Sequence, residues 1–193
     1  MKKEGVLPVY NSVDLYFDHG DGVYLYTEDG TRYLDFTSGI GVTCLGHSHP
    51  ALVSALREQA GKLWHCSNLF KIKGQETVAK KIVDHSFASN VFFCNSGAEA
   101  VEAGIKAVRK YFYLNKKNKY KIICVNNAFH GRTLGAISAA GQDKLLEGFD
   151  PRLDGFEHVD FNELEAIEKK IDKQTAAILI ETVQGEGGVN PAT

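Results

Sequence analysis

The sequence predicts an α/β protein built on a largely parallel β-sheet. From residue 91 onward, short apolar runs alternate with segments of helical periodicity, which is the pattern of strand–helix–strand units. The chain has 193 residues, 44% of them hydrophobic, so it can form a sizeable core. No internal repeat or low-complexity segment interrupts the alternation. In order, the predicted elements are strand 91–94, helix 98–114, strand 121–125, helix 162–171 and strand 176–180.

A small antiparallel segment is predicted ahead of this sheet. Residues 23–26 and 32–36 alternate in polarity and flank the turn dipeptide Asp29-Gly30, which is typical of a β-hairpin. Two helices should follow the hairpin. One begins near Pro50, a residue that suits the first turn of a helix, and the other covers residues 75–84.

The passage from strand to helix at residues 91–111, VFFCNSGAEAVEAGIKAVRKY, is the first candidate site. Ser96 can cap the helix, which leaves the N–H groups of Gly97 and Ala98 at the positive end of the helix dipole. Such a place suits an anion such as phosphate. An ordinary capped helix is the alternative that this stretch alone leaves open.

Polar, glycine-containing loops follow all three predicted strands. In a parallel sheet the carboxyl ends of the strands meet at one edge, where ligands bind. The loops could together offer an anion cradle, an aromatic face, a guanidinium group and two carboxylates, which suits a flat phosphorylated cofactor and a carboxylate-bearing substrate. The loop sequences are NSGA at 95–98, AFHGRT at 128–133 and ETVQGEGG at 181–188.

Composition and charge argue against several other classes of protein. The net charge of −2 gives no electrostatic footprint for nucleic acid. No apolar stretch is long enough to span a membrane, and the polar start at residues 1–4 lacks the apolar core of a signal peptide. We therefore expect a cytoplasmic protein with no nucleic-acid or membrane partner.

Cysteine and histidine spacing favours no metal site and no disulfide. The four cysteines form no C-x-x-C pair and mostly lie in apolar segments, so we expect reduced thiols that fill space. His47 and His49 resemble a metal pair, yet no further ligands follow at metal spacing. We therefore expect no metal-binding site.

Five segments together resemble the class III, pyridoxal-phosphate-dependent aminotransferases, and within that family the acetylornithine branch. They occur in the family's order and approximate spacing through nearly the whole chain. The resemblance implies the aspartate-aminotransferase-like fold (pyridoxal-phosphate fold type I) and a homodimer with active sites at the subunit interface. The segments are YLDFTSGIGVTCLGHSHP, HCSNLF, FFCNSGAEAVEAGIKAVRKY, NAFHGRT and ETVQGEGGV.

The resemblance also implies a role for each motif residue around pyridoxal 5'-phosphate. The backbone N–H groups after Ser96 would bind the phosphate, Phe129 would stack on the pyridine ring, and Glu181 would lie beside it. Packing in a core is the alternative for Phe129, although its place directly before His-Gly-Arg at a strand end favours stacking. The implied cofactor-binding residues are Ser96, Gly97, Ala98, Phe129, His130 and Glu181.

The implied substrate residues are Arg132, Glu186 and Ile40. Arg132 would clamp the α-carboxylate with its planar guanidinium group, and a surface ion pair is its ordinary alternative. Glu186 matches a glutamate that pairs with an arginine of the C-terminal domain and moves aside between half-reactions. Ile40 falls where ornithine aminotransferases typically carry a tyrosine, so an apolar wall here favours an acetylated amine over a free ammonium group. Packing of a turn is its alternative.

The implied reaction moves the δ-amino group of N-acetylornithine to 2-oxoglutarate, giving glutamate, in arginine biosynthesis. Ornithine, succinylornithine and 4-aminobutyrate stay open as donors. We expect a domain division into residues 1–46, the N-terminal part of the small domain, and residues 47–193, the first part of the large cofactor-binding domain.

The lysine that such chemistry requires is not identifiable. Pyridoxal phosphate needs a Schiff-base lysine and an acid on its ring nitrogen, yet the seventeen lysines lie mainly in polar runs and at element edges. We therefore expect the N-terminal half of a family member, truncated and inactive by itself. A non-catalytic fragment is the alternative of another class.

Overall fold

The computed structural model describes residues 5–193 and contains two compact units. The first unit is Met1–Glu76, described from residue 5, and the second is Thr77–Thr193. The domain division predicted at residues 46 and 47 follows from the family resemblance and stays a prediction.

The first unit contains a three-stranded antiparallel sheet with strand order β1-β2-β3. The strands are β1 (Phe17–Asp21), β2 (Tyr24–Thr27) and β3 (Arg32–Leu34). Strands β2 and β3 form the predicted hairpin, in which Tyr24 faces Leu34. The turn between them is held by Asp29, whose carboxylate accepts from the Thr27 hydroxyl at 2.5 Å and from the Thr31 N–H at 3.1 Å. Strand β1 was not predicted.

Three helices follow this sheet: α1 (Ser38–Gly41), α2 (Pro50–Ala60) and α3 (Lys73–Asp84). Pro50 lies in the first turn of α2, as expected, and α3 begins in the first unit and ends in the second. None of the first unit's residues from 5 to 76 is buried. This unit therefore has no core of its own among its described residues.

His47 forms a hydrogen-bonded pair with Asp35. Its Nε2 lies 2.8 Å from Asp35 Oδ2, and the Asp35 side chain is almost completely covered. The other carboxylate oxygen accepts from the Thr37 hydroxyl at 2.6 Å. Hydrogen bonds from Thr37 and His47 hold the pKa of Asp35 well below its ordinary value. Within residues 5–193, no group of three or more His, Cys, Asp or Glu side chains is arranged to hold a metal ion.

The second unit is built on a three-stranded parallel sheet with strand order β5-β4-β6. Cys124 at its centre faces His158 on one side and Leu179 on the other. The elements in chain order are α4 (Gly97–Leu114), β4 (Lys121–Val125), α5 (Leu134–Ala139), α6 (Asp143–Leu146), β5 (Phe156–Val159), α7 (Leu164–Lys170), β6 (Thr175–Leu179), β7 (Val183–Gln184) and β8 (Asn190–Pro191).

Helices cover both faces of this sheet, because β4 is apolar on both. Ile122 and Cys124 face one side and pack with Ile105 of α4 and Ala139 of α5. Ile123 and the other alternate residues face the opposite side, in a cluster with α7. A parallel strand covered on both faces is expected to read as a continuous apolar run, as residues 122–125 do. The largely parallel α/β fold class is therefore confirmed.

The strand predicted at residues 91–94 does not form among the described residues. These residues have the composition of a buried strand, yet Phe92 is 76% exposed. A strand exists only through hydrogen bonds to a neighbour, which composition cannot supply. The prediction was wrong because none of the named strands pairs with this segment.

The cysteine prediction holds only in part. All four cysteines are free thiols, and Cys124 is completely buried, as space filling requires. Burial raises the pKa of Cys124 to about 12. Cys44 and Cys94 are exposed, so space filling was wrong for these two. None of the helices in residues 5–193 combines the length and apolar character needed to cross a bilayer.

Candidate functional site

The N-terminus of α4 has the predicted cap. The Ser96 hydroxyl accepts a hydrogen bond from the Glu99 N–H at 3.2 Å, and the Glu99 carboxylate accepts from the Asn95 N–H at 2.6 Å. Within the described chain, no acceptor is bonded to the N–H groups of Gly97 and Ala98. The space beside Gly97 is open. Two free donors at the positive end of an 18-residue helix therefore face an accessible region.

The loop after β4 lies directly against this helix start. Gly131 has a φ of +115°, and a Cβ added there would lie 2.8 Å from the Cβ of Ala98 and 3.1 Å from its Cα. Only glycine permits so close an approach in this backbone conformation. The motif glycine thereby brings the loop at residues 128–133 to the helix start at Ala98.

Three hydrogen bonds from distant parts of the chain hold the first half of this loop. The Phe129 N–H donates to Glu181 Oε1 at 3.4 Å, which joins the ends of β4 and β6. Gln184 Nε2 donates to the Asn126 carbonyl at 2.8 Å, and Gln142 Nε2 donates to the Ala128 carbonyl at 2.8 Å. The backbone that leads up to Phe129 is therefore fixed by three hydrogen bonds to other segments of the chain.

Phe129 and His130 have different environments, although they are adjacent. The Phe129 ring is 41% exposed, and the Arg132 guanidinium carbon lies 5.7 Å from its centre. His130 is buried, and its Nε2 has no hydrogen-bond partner among the described residues. Burial, with a smaller effect of His158, lowers the pKa of His130. His130 therefore lies in the covered part of the loop, whereas the adjacent Phe129 is partly exposed.

Glu181 is half-buried at the end of β6. Its Oε2 is covered and has no hydrogen-bond partner in the described part of the chain. Burial raises the pKa of Glu181, and the hydrogen bond from the Phe129 N–H, together with a smaller effect of the Gln184 side chain, opposes this increase. A covered carboxylate oxygen without a partner usually indicates a missing donor.

Two predicted substrate residues, Glu186 and Ile40, take part in none of these contacts. Glu186 is exposed in the turn between β7 and β8. Ile40 belongs to the first unit and is 94% exposed, so packing of a turn does not explain it. Its φ of +59° is unusual for a β-branched residue. Arg132 is exposed beside Phe129.

Sequence reasoning missed Gln184, Glu102 and Thr133. Gln184 is only 3% exposed and links two loops 58 residues apart in sequence. The only sequence feature that could have indicated a role for Gln184 is its position as a polar residue beside glycines in the loop after a strand. Glu102 lies on α4, and its carboxylate accepts a hydrogen bond from the Thr133 hydroxyl.

Comparison with known proteins shows the family of this chain. The sequence profile of the family Aminotransferase class-III matches residues 8–193. The chain belongs to this family. An acetylornithine aminotransferase from Mesorhizobium japonicum is 52% identical over 192 residues, which are 99% of this chain and 48% of that relative. The chain thus spans about half the length of the curated relatives it matches.

Solved structures of the family share the fold. An N-acetylornithine aminotransferase from Stenotrophomonas maltophilia superposes with a TM-score of 0.78 at 37% identity, over 95% of this chain and 46% of that one. An ornithine aminotransferase from Toxoplasma gondii, described with partial occupancy of PLP at its active site, gives a TM-score of 0.87 at 31% identity, over 95% and 44%. The predicted family and fold type I are confirmed, and the assignments of individual site residues stay predictions.

Proposed function

We propose that this chain is the N-terminal part of a pyridoxal-phosphate-dependent aminotransferase, here called the parent enzyme. Its proposed reaction transfers the δ-amino group of N-acetylornithine to 2-oxoglutarate and yields glutamate. The observation that carries the proposal is the convergence of the start of α4 with the loops that follow β4 and β6. There Gly131 packs on Ala98, and Glu181 accepts from the Phe129 N–H. The relative named acetylornithine aminotransferase supports the choice of donor.

The residues present fit pyridoxal phosphate. The free N–H groups of Gly97 and Ala98 suit its phosphate, and the half-exposed face of Phe129 suits its ring. The partnerless oxygen of Glu181 offers an acceptor at the same edge. When bound, the cofactor carries the amino group and acts as an electron sink. Ser96 and His130 shape the two loops without needing to touch it.

The Schiff-base lysine is proposed to come from outside these residues. Such a lysine needs a desolvated site that lowers its pKa, and no lysine among the described residues is buried. The most covered candidate in the sheet is Lys121, which is paired with Asp172 at 2.9 Å. That partner raises the pKa of Lys121, the opposite of what a nucleophilic amine needs.

Arg132 and Glu186 are the proposed contacts to the substrate. A guanidinium group can hold a carboxylate through two parallel hydrogen bonds, and Arg132 is exposed next to the ring proposed for the cofactor. Glu186 sits on the turn that follows Gln184 and is exposed. Its proposed role is to exchange partners as the two substrates alternate.

Ile40 is proposed to set the choice of amino donor. Its 94% exposure leaves the side chain available to a ligand or to another part of the assembled enzyme. An apolar wall offers no hydrogen bond to a free ammonium group, while an acetylated amine has no charge to desolvate. Ornithine, succinylornithine and 4-aminobutyrate are the competing donors within this class of reaction.

A cytoplasmic homodimer is the proposed form of the parent enzyme. The first unit has no buried residue between positions 5 and 76 and exposes large apolar side chains such as Tyr16, Phe36 and Trp64. Exposed apolar surface of this extent is typical of an interaction site.

The second candidate function is a non-catalytic fragment, favoured by the absence of a buried lysine among the described residues.

Steady-state kinetics of the parent enzyme test the proposal. We expect the highest kcat/KM for N-acetylornithine among four donors: N-acetylornithine, N-succinylornithine, ornithine and 4-aminobutyrate. Ile40→Tyr should shift the ranking toward ornithine, with Val42→Tyr, another exposed position of the same segment, as the control. A preference for ornithine or 4-aminobutyrate in the unaltered enzyme would refute the choice of donor, and turnover of none would favour the non-catalytic alternative.

A further inference from the structure

Two contacts with α4 bracket Arg132. On its N-terminal side, Gly131 packs against Ala98. On its C-terminal side, the Thr133 hydroxyl donates to Glu102 Oε1 at 2.5 Å. Ala98 and Glu102 are four residues apart on one helix, so they lie on the same face one turn from each other. Arg132 therefore leaves the backbone between two points that are fixed to the same helix.

The Thr133 hydroxyl makes two hydrogen bonds, one as donor and one as acceptor. Thr133 caps α5, where its oxygen accepts from the Ala136 N–H at 3.2 Å while its hydrogen goes to Glu102. The Glu102 carboxylate fits beside residue 135 only because that residue is glycine: a Cβ at Gly135 would overlap the carboxylate. A side chain without a hydroxyl would lose both bonds, and serine would keep both.

We infer that Glu102 and Thr133 are positioning residues for the substrate α-carboxylate, which act by fixing Arg132 relative to the start of α4. This inference rests on the proposed function, because it takes Arg132 as the carboxylate ligand. Neither residue touches the substrate itself. The pair holds the backbone of Arg132 at a set separation from the N–H groups of Gly97 and Ala98, and so places the root of the Arg132 side chain relative to the phosphate site.

The orientation of Arg132 needs such a device. A bidentate guanidinium–carboxylate contact depends on the direction of approach as well as on distance, and small displacements of a binding group have large effects on rate. Arg132 is exposed and has a long flexible side chain, so its own packing does not fix it. The backbone at residues 131–133 is the part that the helix holds.

A matched pair of substrates separates positioning from general stability. N-Acetylornithine and N-acetylputrescine differ only in the α-carboxylate, so only the first uses Arg132. In the parent enzyme, Thr133→Val should lower kcat/KM for N-acetylornithine about tenfold, the effect of one hydrogen bond, and for N-acetylputrescine less than twofold. Thr133→Ser should stay within about twofold of the unaltered enzyme on both substrates. Glu102→Ala should follow Thr133→Val.

A binding measurement extends the test beyond activity. N-Acetylnorvaline keeps the α-carboxylate and lacks the δ-amine, so it binds without reacting. Its dissociation constant from calorimetry should rise about tenfold in Thr133→Val and stay unchanged in Glu165→Gln, an exposed glutamate of α7. Equal losses on both substrates, no loss at all, or no binding of N-acetylnorvaline by the unaltered enzyme would overturn the inference. An unaltered enzyme that binds N-acetylnorvaline, and binds it more weakly in Thr133→Val, but does not transaminate N-acetylornithine would remove the proposed function alone.

Discussion

The contact between Gly131 and Ala98 can be tested by adding one methyl group. In Gly131→Ala the new Cβ would lie 2.8 Å from the Ala98 Cβ and 3.1 Å from its Cα. Part of this contact is with backbone of α4, which cannot rotate away. The loop must therefore move off the helix start, or the helix start must shift.

Two separate costs contribute to the expected loss of stability. The φ of +115° at Gly131 disfavours any side chain, by about 1–2 kcal/mol. Overpacking against Ala98 adds about 1–3 kcal/mol. Gly188 supplies a matched control, because its φ is +116° and an added Cβ would meet only Asn190 Nδ2 at an ordinary 3.5 Å. Gly188→Ala should therefore show the first cost without the second.

The assay is urea unfolding of the apo parent enzyme, followed by circular dichroism. Gly131→Ala should lose about 1–3 kcal/mol more unfolding free energy than Gly188→Ala. Adding Ala98→Gly to Gly131→Ala should recover part of that difference, because it removes the closer of the two contacts. Equal losses in the two single variants, or no recovery in the double variant, would refute the packing of this loop on α4.

Four further outcomes follow from the same geometry. Arg132→Lys should lower kcat/KM for α-carboxylate substrates about 100-fold or more and leave the cofactor spectrum intact, since lysine cannot form the bidentate contact; unchanged kinetics would remove Arg132 from the site. Burial raises the pKa of Glu181 in the folded protein. The protonated carboxyl therefore stabilises the fold fully at pH values below its pKa in the unfolded chain, and this stabilisation is lost as the pH rises through its pKa in the folded protein. The Tm of apo Glu181→Gln relative to the unaltered enzyme should therefore increase from pH 4 to pH 8, and a difference that does not change with pH would contradict the covered position of this carboxyl. Cys124, completely buried, should resist iodoacetamide at pH 8 in the native enzyme and react only after unfolding. The 193-residue polypeptide alone should not transaminate N-acetylornithine, and a stoichiometric borohydride-trapped lysine adduct with turnover would contradict this.

The fold could be predicted for segments whose own residue pattern indicates what surrounds them. Residues 122–125 are apolar on both faces, and this pattern predicts a strand covered by helices on both sides. The cap of α4 was predictable for the same reason, because Ser96 and Glu99 lie within one turn of each other. Residues 91–94 failed this criterion, because their strand character depends on a neighbour that no local pattern describes.

The site was predictable only to the level of its loops. Residues 128–133 were predicted to form one of the site loops, and the structure supplies Ala98 as the contact of Gly131 in that loop. Contacts between side chains far apart in sequence were not predictable. Thr133 and Glu102 are 31 residues apart, and Gln184 and Asn126 are 58 apart. Such pairs depend on how the strands align in the sheet, which periodicity does not specify.

The most direct measurement of the central claim is a crystal structure of the parent enzyme with pyridoxal phosphate. We expect the phosphate within hydrogen-bond distance of the Gly97 and Ala98 N–H groups, the pyridine ring against Phe129, and Glu181 beside the cofactor. The covalently attached lysine should lie outside the residues described here. A cofactor bound elsewhere on the sheet, or attached to a lysine within residues 5–193, would contradict the account.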